Sequence, residues 1–140
     1  MRNLVILVLT LMMGLSSCGM AKRSASRLEL AGDWNVISLE GKAISVADEQ
    51  RPYLGLNMTE QTMSGTTGCN RMMSAVNVDA KLRTISFGPV AGTRMACPDM
   101  SLEQALFVAL EKVRNYGFGA DGSLVLKDEN GGELMVLRKK

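Results

Sequence analysis

The segment Ser64 to Met73, SGTTGCNRMM, sets a cysteine between a glycine and an asparagine, with two threonines upstream and an arginine and two methionines downstream. A second cysteine closes TRMAC, Thr93 to Cys97. Residues of these types can serve thiol catalysis, a soft-metal site or a disulfide. A nucleophilic thiol needs a nearby base or a depressed pKa. The chain contains no histidine, which removes the commonest general base, the Ser-His and Cys-His pairs, and most zinc and iron ligand sets. Arg71 and Arg94 could act on a thiol only electrostatically, and no Cys-x-x-Cys spacing of the thioredoxin type occurs.

Thioethers and thiolates form the soft ligand set preferred by Cu(I). Met63, Met72, Met73, Met95 and Met100 lie near the two cysteines, among 11 methionines in all. They show no Met-x-Met or Met-x-x-Met repetition, and several sit where an apolar filler is expected. Copper binding therefore stands below the filler reading. Glu103 and Glu111 fit no general acid/base motif, and Glu103 suits the dipole of a first helical turn. Gly65 and Gly68 lack the closing Lys-Ser/Thr of a phosphate loop, so they read as turn or bulge glycines. Asn70 and Thr93 read as turn-formers whose side chains bond neighbouring backbone. No catalytic residue, metal ligand set or cofactor site is expected.

The N-terminus sets the compartment. Arg2 precedes an apolar run, Leu4 to Leu15, that is shorter than the roughly 20 residues needed to cross a bilayer but suits a signal-peptide core. It ends in Leu15-Ser16-Ser17-Cys18, which resembles the bacterial lipobox. Cys18 would then carry the lipid and become the new N-terminus. An ordinary cleaved signal or an uncleaved anchor is the alternative. With Cys18 assigned to lipid, Cys69 and Cys97 remain as an even pair in an exported protein, first read as a disulfide. The loop it closes would contribute about 3–4 kcal/mol in the chain-entropy model. Net charge is +2 with no clustered basic element, so no nucleic-acid footprint is present.

The elements that must position these residues can be read from periodicity. Residues 1–17 form the signal peptide, 18–27 the lipidated cysteine and a small polar tether, and 28–138 one domain. Trp34, Val36 and Ser38 alternate along a first strand, with a turn at Glu40 to Lys42. YLGLNM and QTMSGTT form a hairpin across Thr59-Glu60. Val76 and Val78 lead through a turn at Asp79 to Lys81 into Leu82, Ile85 and Phe87. Leu102, Ala105, Leu106, Ala109, Leu110 and Val113 make one apolar helical stripe over about 101–115, with Ser101 and Gln104 placed as a capping box. Leu124 to Leu126 and Leu134 to Leu137 are strands between hairpin turns. The fold class is α+β: a curved, barrel-like antiparallel sheet of about 6–8 short strands with one amphipathic helix packed against it.

Four blocks, LAGDWNVISLEGK, MSGTTGCNRMMSAVNV, ISFGPVAGTRMACPD and EQALFVALEKVRNY, together resemble the META domain of HslJ-like bacterial heat-shock lipoproteins and of a trypanosomatid family. The resemblance runs from about Leu28 to Leu137. It implies a barrel-like mixed fold, no established enzymatic activity, and an association with heat, envelope stress and novobiocin resistance. The motif residues carried over are Trp34, Gly68, Cys69, Asn70, Thr93, Cys97 and Glu103, read as structural.

The expected function is a non-enzymatic binding or scaffolding module in envelope homeostasis. Its expected partners are a membrane, through the anchor, and an envelope protein. Gly19 follows Cys18 where an Asp would signal inner-membrane retention in enteric bacteria, so the outer membrane is the expected site. A small apolar-ligand or lipid carrier is the alternative, because a curved sheet with a helix can leave a cavity. A copper- or thiol-based redox protein is the third reading. Neither partner, ligand nor oligomeric state is legible in the sequence.

Overall fold

The computed structural model describes residues 27–140. Cys18, the signal peptide and nearly all of the tether lie outside these residues. Ten strands are present among them: β1 (Gly32–Leu39), β2 (Lys42–Ala43), β3 (Tyr53–Asn57), β4 (Thr62–Thr66), β5 (Arg71–Asp79), β6 (Thr84–Phe87), β7 (Ala91–Gly92), β8 (Asn115–Phe118), β9 (Leu124–Lys127) and β10 (Glu133–Lys139). The amphipathic stripe forms helix α1 (Ser101–Lys112) between β7 and β8.

All pairings are antiparallel, in the order β10-β9-β8-β6-β5-β4-β3-β1, and β10 returns to β1. The result is a closed eight-stranded barrel, which among the described residues leaves no long free edge for other chains to pair with. β2 hangs on β1 and β7 on β5 as two short extra strands. The tight turns follow from residue type. Asn57 Oδ1 accepts the Thr59 and Glu60 amides, and Asp79 Oδ1 accepts those of Lys81 and Leu82.

Period-2 alternation holds strictly along β5, where Met72, Ser74, Val76 and Val78 face inward. It breaks in β1. The register with β10 slips between Val36 and Ser38, a bulge at Ile37 that turns Leu39 into the core in place of Ser38. A second slip between Glu133 and Met135 buries both Leu134 and Met135. The reading of Leu82 as a strand residue is corrected: it sits in the β5–β6 turn and is exposed.

One hydrophobic cluster joins the inward faces of the strands to Leu106, Ala109, Leu110 and Val113, so the helix belongs to the barrel core. Met63, Met72 and Met135 are core fillers, whereas Met73 and Met95 are exposed. The helix ends at Lys112, because Val113 is already extended and leads into β8. The capping box does not form. Ser101 is the first helical residue rather than the cap, and Asp99 Oδ1 accepts its backbone N–H at 2.8 Å.

Candidate functional site

The turn between β4 and β5 is built by its threonines. Thr66 Oγ1 accepts the Gly68 amide at 3.1 Å, and Thr67 Oγ1 accepts the Asn70 amide at 3.0 Å. The backbone closes between the Thr67 N–H and the Asn70 carbonyl at 2.8 Å. Gly68 supplies φ +100°, and its Cα faces the Gln50 carbonyl so closely that a Cβ would lie 2.3 Å from that oxygen. This turn aims Asn70, fully buried, at two other parts of the chain.

Asn70 Oδ1 accepts the Met95 amide at 2.8 Å and the Thr93 hydroxyl at 2.9 Å. Thr93 Oγ1 in turn accepts the Arg71 N–H at 3.0 Å. Asn70 Nδ2 donates to the Glu103 carboxylate, 3.0 Å from Oε2 and 3.2 Å from Oε1. The Thr67 hydroxyl donates to Glu103 Oε2 at 2.6 Å. One buried amide thus ties β5, the 93–97 loop and α1 together. A Cys69–Cys97 disulfide with a Cα–Cα separation of 6.4 Å makes the same connection covalently.

Six of the seven motif residues therefore share one site: Gly68, Cys69, Asn70, Thr93, Cys97 and Glu103. Trp34 stands apart. Its indole N–H donates to the Leu30 carbonyl at 2.8 Å, with Phe118 6.2 Å away and Lys139 Nζ 4.5 Å above the ring. Glu103, read from sequence as a dipole residue, is 7% exposed and turned into the network. Thr67 is a member that sequence reasoning misses. Its part depends on where Glu103 arrives, 36 positions away, and no local pattern carries that. Asn70 and Thr93 do bond backbone, but not the neighbouring backbone that was expected: the amides of Met95 and Arg71 that they accept lie 25 and 22 residues away.

The 93–97 loop and α1 border an open groove of about 890 Å³ lined by Val90, Arg94, Met95, Met100, Glu103 and Phe107. The site offers acceptors and apolar surface. Both thiols are spent in the disulfide, and among the described residues no group of three or more His, Cys, Asp or Glu is placed to hold a metal ion. Beside the groove, the side-chain and backbone hydrogen bonds from Ser101 hold the exposed Asp99 carboxyl below its ordinary 3.8.

The META domain model matches residues 26–140, which contain the barrel, the helix and the whole network. The chain belongs to the META domain family. No curated protein matches it. Among solved structures, an NMR structure of a protein from Burkholderia xenovorans is similar, with 26% identity and a TM-score of 0.63 over 84% of this chain and 88% of the other. The crystal structure of a DUF4847 family protein from Bacteroides vulgatus superposes with a TM-score of 0.58 at 14% identity, over 83% of the META chain and 97% of its own. A further NMR structure matches at 18% identity and a TM-score of 0.58, covering 76% of this chain and 87% of that one. At such identities the last two share the fold alone.

Proposed function

We propose that this META-domain chain is an exported lipoprotein, anchored through Cys18 in the bacterial envelope at the outer membrane. There it acts as a non-enzymatic binding or scaffolding module in envelope homeostasis or in tolerance of heat and antibiotic stress. The observation that carries the binding reading is the use made of the motif residues. Asn70, Thr93, Glu103 and the disulfide all hold the 93–97 loop against α1, and that loop is one wall of an open groove. Export is supported by the leader and by a disulfide of the kind that persists in oxidising compartments.

A small-ligand carrier is the second reading, favoured by the same groove. A passenger would lie against the outside of the barrel, since side chains from all around fill the inside. Crosslinking in the native envelope with identification of the captured species, run beside the intact mass of the mature protein, tests both. A mass carrying acyl chains on Cys18 and a reproducible envelope-protein adduct support the module. A mass with unmodified Cys18 removes the lipoprotein reading, and a co-purified small molecule in native mass spectra moves the choice to the carrier.

A further inference from the structure

The chain enters the barrel at a fixed point. Arg27 Nη2 donates to the Val78 carbonyl at 2.9 Å, and the indole N–H of Trp34 holds the turn that follows through the Leu30 carbonyl. Leu30 is fully buried, so the turn is pinned, and Leu28 is left on its outer side. Val78 lies one residue before the β5–β6 turn, where Asp79 Oδ1 accepts the Lys81 and Leu82 amides. The point of entry and the β5–β6 turn therefore share one end of the barrel.

Leu82 and Leu28 are the two most exposed large apolar side chains among the described residues, at 68% and 64%. A single exposed leucine needs no explanation. These two stand where the chain arrives from its anchor, and Arg27, Lys81 and Arg83 outnumber Glu29 and Asp79 beside them. Arg27 is nine positions after Cys18, a span of at most about 30 Å, and a domain of this size is about 35 Å across. Lys22 and Arg23 fall within that stretch. Lipid on Cys18 therefore keeps this end close to the bilayer. We infer that it is a second membrane contact: Leu28 and Leu82 enter the headgroup region of an anionic bilayer, and Lys81 and Arg83 meet its phosphates. The inference rests on the lipoprotein reading and gives the anchored module an orientation. β5 carries the chain nine residues, about 27 Å, from the Asn70 network to this turn. The network and the groove then stand away from the lipid, in the aqueous space where an envelope protein arrives.

Amide NMR of the mature lipidated chain tests it, in nanodiscs of phosphatidylcholine and phosphatidylglycerol doped with a lipid carrying gadolinium on its headgroup. Paramagnetic relaxation is expected to be several-fold faster at 81–83 than at 93–97. Leu28→Ser with Leu82→Ser changes two exposed side chains and keeps the tether, so it should lose most of that contrast. The unacylated mature chain, residues 18–140, keeps every described residue and is titrated with vesicles of the same two lipids. Its partition coefficient should be about tenfold above that of the double variant, and should fall in pure phosphatidylcholine. Equal partitioning of the two chains, full contrast in the double variant, or relaxation as fast at 93–97 as at 81–83 overturns the inference. Concentration-dependent broadening at 81–83 without lipid would give the face to a second copy of the chain and overturn it as well. An unmodified Cys18 in cells would remove the lipoprotein reading, while the vesicle titration still decides whether this face meets lipid.

Discussion

The side-chain amide of Asn70 lies 3.0 and 3.2 Å from the two carboxylate oxygens of Glu103, joining the start of β5 to the first turn of α1 across 33 residues. Its carbonyl end is occupied by Met95 and Thr93. Asn70→Ala removes all of these bonds at once and leaves a buried carboxylate with Thr67 as its remaining donor. The expected loss is about 3–4 kcal/mol, because the cost falls on stranded buried groups and not only on the bonds themselves. A urea midpoint within experimental error of wild type would refute it.

The disulfide and the amide hold the same loop in parallel. Replacing Cys69 and Cys97 together by alanine should cost about 3–4 kcal/mol, the entropy of the closed loop. Reductant should lower the wild-type midpoint by a similar amount and leave the double variant unmoved. In a cycle with Asn70→Ala the two losses should not add, since the loop released by one change is no longer fixed for the other.

Gly68 and Gly122 both have positive φ, but only Gly68 faces backbone: a Cβ there would meet Gln50 O at 2.3 Å, whereas one at Gly122 would meet nothing within 4 Å. Gly68→Ala should cost well over 2 kcal/mol, from left-handed strain plus displacement of the Asp48–Gln50 turn. Gly122→Ala should cost about 1 kcal/mol. Equal thermal shifts for the two would show that the close approach to Gln50 is unimportant.

The Tyr116 hydroxyl is buried with no hydrogen-bond partner among the described residues, and its ring packs edge-on against Phe118 at 6.1 Å. Tyr116→Phe keeps the packing and removes the unsatisfied group. The variant should therefore be more stable than wild type by about 1 kcal/mol. Destabilisation would mean that the hydroxyl has a bonding partner, such as a bound water.

Asp99 should leave a pH signature. Its folded pKa is depressed below 3.8 by the Ser101 hydrogen bonds. Its contribution is therefore complete above the unfolded value and is lost as pH falls through the folded one. Asp121, held low chiefly by Ser123, adds a dependence of the same sign. Asp99→Asn should flatten the fall in melting temperature below about pH 4 and leave the slope near pH 7 little changed. An unchanged acid limb would place the dependence elsewhere.

Local residue chemistry was enough for most of the strands and turns, the helical stripe and the pairing of Cys69 with Cys97, because periodicity, turn preference and cysteine parity act within short windows. It did not show β7 or β8. It misplaced Leu82 and Ser101 within their own short windows, and Leu39 and Glu103 for a nonlocal reason. Leu39 enters the core because a bulge against β10 resets the alternation. Ser101 begins the helix instead of capping it: Met100 holds the cap position, and Asp99, two residues upstream, accepts the Ser101 amide. Glu103 turns inward because Thr67 and Asn70 meet it there. The motif residues could be named from the chain, but their common site could not.

Residue types and their spacing specify an α+β domain with a cysteine-pinned turn and an amphipathic helix. The closure of the sheet through β10 onto β1, and the role of Asn70 as the joint of three segments, emerge only in the folded chain. One cause underlies both. A ladder between distant strands and a hydrogen bond across 33 residues depend on the position of the partner, which no short window of sequence contains.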